Sequence, residues 1–120
     1  MIRLLDGPGA GENLDLLRAP AMLRVVRNAA GTWDGLDQLS DEAGADEQIW
    51  VYRIASKPTV MHLSCRPRSK SRWIISADYR LYPDQPTDAT LRDNDAWGRW
   101  CSSVESAVRQ QLELEGITSE

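Results

Sequence analysis

A chain of 120 residues, 42% hydrophobic and 27% charged, is long enough to close one core without staples and too apolar to remain disordered. A formal charge of -4 lends no global attraction to nucleic acid or anionic membrane, and no apolar run approaches the roughly 18 residues of a membrane span. Cys65 and Cys101 lack Cys-x-x-Cys spacing and fit a reducing compartment, and the first seven residues show no charged region leading into a long apolar stretch, so a cytosolic protein without a signal peptide is expected.

The first three quarters of the chain read as strands. Ile2 to Leu5 form a short one, closed by Gly7-Pro8-Gly9-Ala10-Gly11 acting as a turn. Leu14 and Leu16 then alternate with Asp15. After Pro20 a run from Ala21 to Val26 places Leu23 and Val25 on one face and Met22, Arg24 and Val26 on the other. Asn28-Ala29-Ala30-Gly31 is a turn leading to Trp33 and Leu36, and an acidic loop follows. The clearest strand is Gln48 to Ile54, rich in β-branched and aromatic residues. Ala55-Ser56-Lys57-Pro58 is expected to turn the chain into a second strand, Thr59 to Cys65, and a basic connection leads to a third, Arg72 to Leu81. The three should form a meander. Pro83 and Pro86 then end strand pairing, since neither can donate to a ladder.

The last quarter changes period. Trp97, Trp100, Cys101, Val104, Val108 and Leu112 fall on one stripe of a helix spanning about residues 95–115. Asp93, Asn94 or Asp95 can cap its start and Gly116 its end, and Gly98 is read as a point of close approach to the sheet. The fold class expected is α+β, as one domain over residues 1–120. A strongly curved, mostly antiparallel β-sheet within residues 1–82 is followed by one long C-terminal amphipathic helix packed on it.

Motifs for chemistry are thin. The Gly7–Gly11 stretch is followed by Glu12 and a period-two pattern, so it lacks the Lys-Ser or Lys-Thr and the helix of a phosphate loop. His62 is the single histidine, too little for a zinc site, and a His62–Cys65 pair three apart on a strand would face opposite ways. Catalytic residues, cofactors and metals are therefore all expected to be absent. The acidic loop with Asp34, Asp37, Asp41, Glu42, Asp46 and Glu47 lacks calcium-loop spacing and reads as a solvated connection.

The most specific feature is basic. Arg66, Arg68, Lys70 and Arg72 recur at every second residue, with Trp73 directly after and Tyr79 and Tyr82 in the same segment. Alternating cations beside rings suit phosphate contact with base stacking, and equally a protein interface, where Trp, Tyr and Arg serve as anchors. The plainer alternative is a solvated hairpin tip whose charges protect an edge or pair with the acidic loop. Five Trp and three Tyr with no Phe point the same way, because Trp and Tyr favour core edges and contact surfaces.

Several short segments in shared order carry a resemblance: Arg3-Leu4-Leu5-Asp6-Gly7-Pro8, Arg18-Ala19-Pro20 with Leu23-Arg24-Val25-Val26, Leu36-Asp37-Gln38-Leu39, Val51-Tyr52-Arg53, Ala77-Asp78-Tyr79-Arg80, and Leu91-Arg92-Asp93-Asn94-Asp95-Ala96-Trp97. Together they resemble a group of small uncharacterised proteins encoded by phages of actinobacteria such as mycobacteria. The chain departs from that group in a longer tail after Trp100 and in the basic stretch, which stands where a Gly-rich loop is frequent. The resemblance implies a phage origin and a place in the host cytoplasm, and brings no enzyme activity with it. The expectation is a non-enzymatic phage accessory protein that binds a host or phage protein, most plausibly a host one. Its hypothetical contact set is Arg66, Arg68, Lys70, Arg72, Trp73, Tyr79 and Tyr82. The alternatives are a nucleic-acid-binding module built on the basic hairpin and a small virion component, and no membrane partner is expected.

Overall fold

The computed structural model describes residues 1–36, 43–63 and 72–117. Seven strands, β1 (Ile2–Leu4), β2 (Asn13–Leu14), β3 (Met22–Arg27), β4 (Trp33–Leu36), β5 (Gln48–Ile54), β6 (Thr59–Leu63) and β7 (Arg72–Leu81), precede two helices, α1 (Asp88–Arg92) and α2 (Asn94–Leu114). The strand order is β2-β1-β7-β5-β3-β4, with β6 pairing β7 off that path. All pairings are antiparallel except β1 with β7. The sheet curls until its two end strands nearly meet: a Cβ on Gly35 of β4 would sit 2.7 Å from Leu16 Cδ1 and 3.4 Å from Leu14 Cδ1. Any larger residue at position 35 would have to displace the Leu16 side chain.

The local turns follow their residues. Between β1 and β2, Gly7 and Gly11 take φ of 71° and 86°, and the Gly9 amide donates to Tyr52 Oη at 2.9 Å. Asn28 closes the β3–β4 turn twice, its carbonyl accepting from Gly31 N at 2.9 Å and its side chain from Thr32 N at 3.0 Å.

The expected meander does not form. β5 and β6 both lie along the same partner, β7, with Ile54 opposite Tyr79 and Thr59 opposite Ser76. Residues 55–58 are thus a bulge facing two residues of β7 rather than a turn. Ala55 N donates to Asp78 O at 2.7 Å and Asp78 N to Ser56 Oγ at 2.8 Å, so the ladder continues through the bulge and tolerates Pro58.

Central strands β3 and β5 are buried on both faces. Leu23, Val25, Tyr52 and Ile54 join a core with Ile2, Leu4, Leu14, Leu16 and Tyr79, to which α2 adds Val108 and Leu112. Val26, Ile49 and Val51 meet Leu91 and Trp97, with Trp100 and Cys101 packed alongside. The helix therefore docks through the stripe its spacing announced. Asp93 is its cap, Oδ1 accepting from Asp95 N at 2.9 Å and Ala96 N at 3.1 Å. At the other end Gly116 (φ 73°) and the bond from Ile117 N to Leu112 O at 2.9 Å form a Schellman stop, with Ile117 and Leu112 in one core cluster.

Two expectations about the helical region are corrected. The short helix α1 precedes α2, capped by Thr87 Oγ1, which accepts from Thr90 N at 3.3 Å. A Cβ on Gly98 would meet nothing within 4 Å, so no close approach to the sheet explains that glycine.

Arg24, 1% exposed, lies on the face of β3 that the helices cover. Its Nη1 donates to Leu91 O at 3.1 Å and Asn94 Oδ1 at 2.9 Å, and its guanidinium sits 5.1 Å from the Trp97 ring centroid. One side chain thereby joins β3 to the end of α1 and the start of α2. Near the far end of α2, Arg53 meets Glu115 through two bonds of 2.8 and 2.9 Å, and that hydrogen bonding first, with the Arg53 charge behind it, holds the Glu115 carboxyl below its ordinary value.

Arg24→Ala is expected to destabilise the fold by about 3–5 kcal/mol, read as a lower urea midpoint at unchanged slope. Arg24→Lys should fall between, because an ammonium cannot both stack and reach two acceptors in the same fork. Gly98→Ala should stabilise by up to about 1 kcal/mol, measured the same way. Glu115→Gln should cost at most about 1 kcal/mol at pH 7. Since the folded carboxyl titrates below the unfolded one, that difference is present above pH of about 4.3 and vanishes as the pH falls through the folded value, which melts across pH 7 to 2.5 would show.

Candidate interaction surface

Beyond the bulge, β6 and the first half of β7 leave the body as a two-stranded arm. Val60 faces Ile75 and Met61 faces Ile74, one apolar pair on each side of the ribbon. Ile74 and Ile75 are half-buried, and Val60 and Met61 remain 61% and 57% exposed. The molecule's 49 × 38 × 26 Å extents fit a body with such a projection.

Charge is distributed unevenly about this arm. Residues 48–77 hold six of the fourteen Lys and Arg and none of the eighteen Asp and Glu, so the stretch carries +6 and the rest of the chain -10. The two strands of the arm thus belong to the cationic stretch of an otherwise acidic sequence.

Of the residues singled out from the sequence, those described do not gather as one patch. Arg66, Arg68 and Lys70 lie outside the described residues, as do Cys65 and the 37–42 part of the acidic loop that was weighed as their ion-pair partner. Arg72 and Trp73 belong to β7, opposite Leu63 and His62. Tyr79 is fully buried and its hydroxyl donates to Pro20 O at 2.5 Å, so its ring is withheld from any partner. Tyr82 lies past the end of β7, half-buried, with its ring edge-on to Trp100 at 5.6 Å. At about 3.3 Å per residue, Tyr79 stands some 20 Å along the strand from Trp73, which rules out one stacking platform.

The aromatic richness also has an internal explanation. Trp33 stacks on Trp50 at 5.2 Å and Trp97 on Trp100 at 5.3 Å. Tyr52 is fully buried, its hydroxyl accepting from Gly9 N and donating to Asp6 O at 2.9 Å, and burial raises its pKa. Tyr52 and Tyr79 thus act as core residues with satisfied hydroxyls, and the stacked Trp pairs pack against the two core clusters, an internal use for most of these rings.

Other candidate sites resolve into structure. Burial pushes the Cys101 thiol up to about 11, against a smaller opposite pull from Arg24, so it stays protonated at neutral pH. The Gly-rich turn spends the Gly9 amide on Tyr52. Glu47 Oε1 accepts from Gly44 N at 2.5 Å, and Arg92 donates to the carbonyls of Gly44 and Glu47, which ties the end of the acidic loop to α1. Among the described residues, no three His, Cys, Asp or Glu side chains converge as metal ligands, and no helix is long and apolar enough to cross a membrane. The chain matches no family model, no curated protein and no solved structure.

Sequence reasoning missed Val60 and Met61. Their alternation with Thr59 and His62 looks like any half-buried strand. The available signal was the absence of acids on either side, over a longer span than the basic motif itself.

Proposed function

We propose that this chain is a non-enzymatic phage accessory protein that binds a host protein in the host cytoplasm, and that the β6–β7 arm is the binding element. The observation that carries the proposal is the arm itself: two strands that leave the body, expose Val60 and Met61, and belong to the +6 stretch of a chain that is otherwise -10. Scattered exposed apolar residues need no explanation, but Val60 and Met61, exposed on opposite sides of one ribbon beside half-buried Ile75 and Ile74 and flanked in sequence by cations, fit the apolar centre and basic rim of a protein interface. The phage setting rests on the resemblance of the short ordered motifs.

A nucleic-acid-binding module is the second reading, favoured by the alternation of Arg66, Arg68, Lys70 and Arg72 before Trp73. It requires a polyanion to approach a chain whose charge outside residues 48–77 is -10.

Affinity capture from lysate of an actinobacterial host, with and without nuclease, separates the two. The parent chain should retain a protein after nuclease treatment, and a Val60→Glu/Met61→Glu double variant, still folded by circular dichroism, should lose it. Loss of the captured protein on nuclease treatment would overturn the proposal. So would micromolar binding of a DNA duplex at about 150 mM salt with a log-log salt slope of roughly -3 to -4, reduced by about one for each Arg→Ala change at 66, 68 or 72.

A further inference from the structure

β3 runs beside the outer edge of β5 from Arg27, opposite Gln48, to Met22, opposite Arg53, and its last contact there is Ala21 O accepting from Ile54 N at 2.9 Å. Upstream of that point, Pro20 O is bonded to the Tyr79 hydroxyl. β6 continues the line of β5 past the bulge, but no described residue continues the line of β3 beside it. Among the described residues the sheet is one strand short at this place. Every second residue of β6 presents its N–H and C=O outward along an edge of five residues, about 17 Å.

Natural edges of this kind are blunted by charges, prolines or bulges. Here Lys57 and Pro58 guard the near end, and β6 itself, Thr-Val-Met-His-Leu, contains no Lys, Arg, Asp or Glu. We infer that the open edge of β6 receives an extended, acidic segment of the protein partner, which adds to the sheet as a strand in line with β3. This inference rests on the arm being the binding element. A strand edge is recognised by a peptide backbone, whose own N–H and C=O groups complete the ladder, and a nucleic acid has no such pattern. The acidic character follows from the surrounding chain, since residues 48–77 carry no acid and, with Arg53 paired to Glu115, five further cations. The same charge disfavours a second copy of β6 as the occupant, because antiparallel self-pairing would lay two cationic stretches side by side.

The probe is an eight-residue peptide of alternating Val and Glu with capped ends, fluorescently labelled and titrated into the full chain at about 150 mM salt, a Debye length of about 8 Å. A second peptide of the same sequence carries N-methyl groups on alternate amides, which keeps charge and side chains but removes the donors of one edge. The unmethylated peptide should bind about tenfold more tightly or better, as expected for losing several backbone hydrogen bonds, and should slow amide exchange in residues 59–63. The Val60→Glu/Met61→Glu variant should bind neither peptide. Equal affinity for the two peptides, with binding still lost in that variant, would overturn strand addition while leaving the arm as the binding element. Peptide binding unaffected by the double variant, or displaced by a DNA duplex of equal length at lower concentration, would overturn both.

Discussion

A buried guanidinium sets the geometry of the covered face of this sheet. Taking Arg24 out of water costs several kcal/mol before any contact is made, and the fold is viable only if its donors and ring face are used. Leu91 O, Asn94 Oδ1 and the Trp97 ring supply those contacts, and they come from the end of α1 and the first turn of α2. The junction between the two helices is therefore specified by β3. Trp97 in turn stacks on Trp100, and Trp100 meets Tyr82 just beyond β7, so the same constraint reaches the chain that delivers the helices to the sheet.

The connections around the body are tied by polar atoms carried on strands. Tyr52 reaches the Gly-rich turn and Tyr79 reaches Pro20. Past the end of β7, the Gln85 amide takes over as a pseudo-strand, accepting from Val51 N at 2.8 Å and donating to Val51 O at 2.9 Å. These bonds explain how a curved sheet with short end strands holds its shape without Phe. They also explain why side chains that resemble interface anchors are spent internally.

The arm is built on different terms. It has a ladder and two exposed apolar side chains, Val60 and Met61, and an isolated two-stranded ribbon is marginal in water. Its attachment through the bulge to a rigid body fixes where it starts and in which direction it runs. An added strand would make it three-stranded and cover part of Val60 and Met61, so binding and local ordering would be one event. On the proposed function the body is a mount and the arm is the working part.

Much of this was legible in local spacing. The stripe from Trp97 to Leu112, the Asp93 cap and the Gly116 stop follow from a 3.6-residue period and short-range hydrogen bonds, which need nothing beyond the helix itself. The Gly7–Gly11 and Asn28–Gly31 turns are equally local, and with the strand periodicity they gave the α+β class. The basic motif and its lack of acidic neighbours can be counted directly along the chain. Tertiary structure alone decided what depends on which strand lies beside which. Residues 55–58 read as a turn until β7 is seen to pair on both sides of them. The alternation puts Arg24 on one strand face with Met22 and Val26, and only the packing shows that two helices cover it. Five-residue α1 is too short to show a period, and Tyr79 looked available until the curl of the sheet enclosed it. Burial and edge exposure are set by pairing between residues far apart in sequence, and a single chain's local pattern does not carry that pairing.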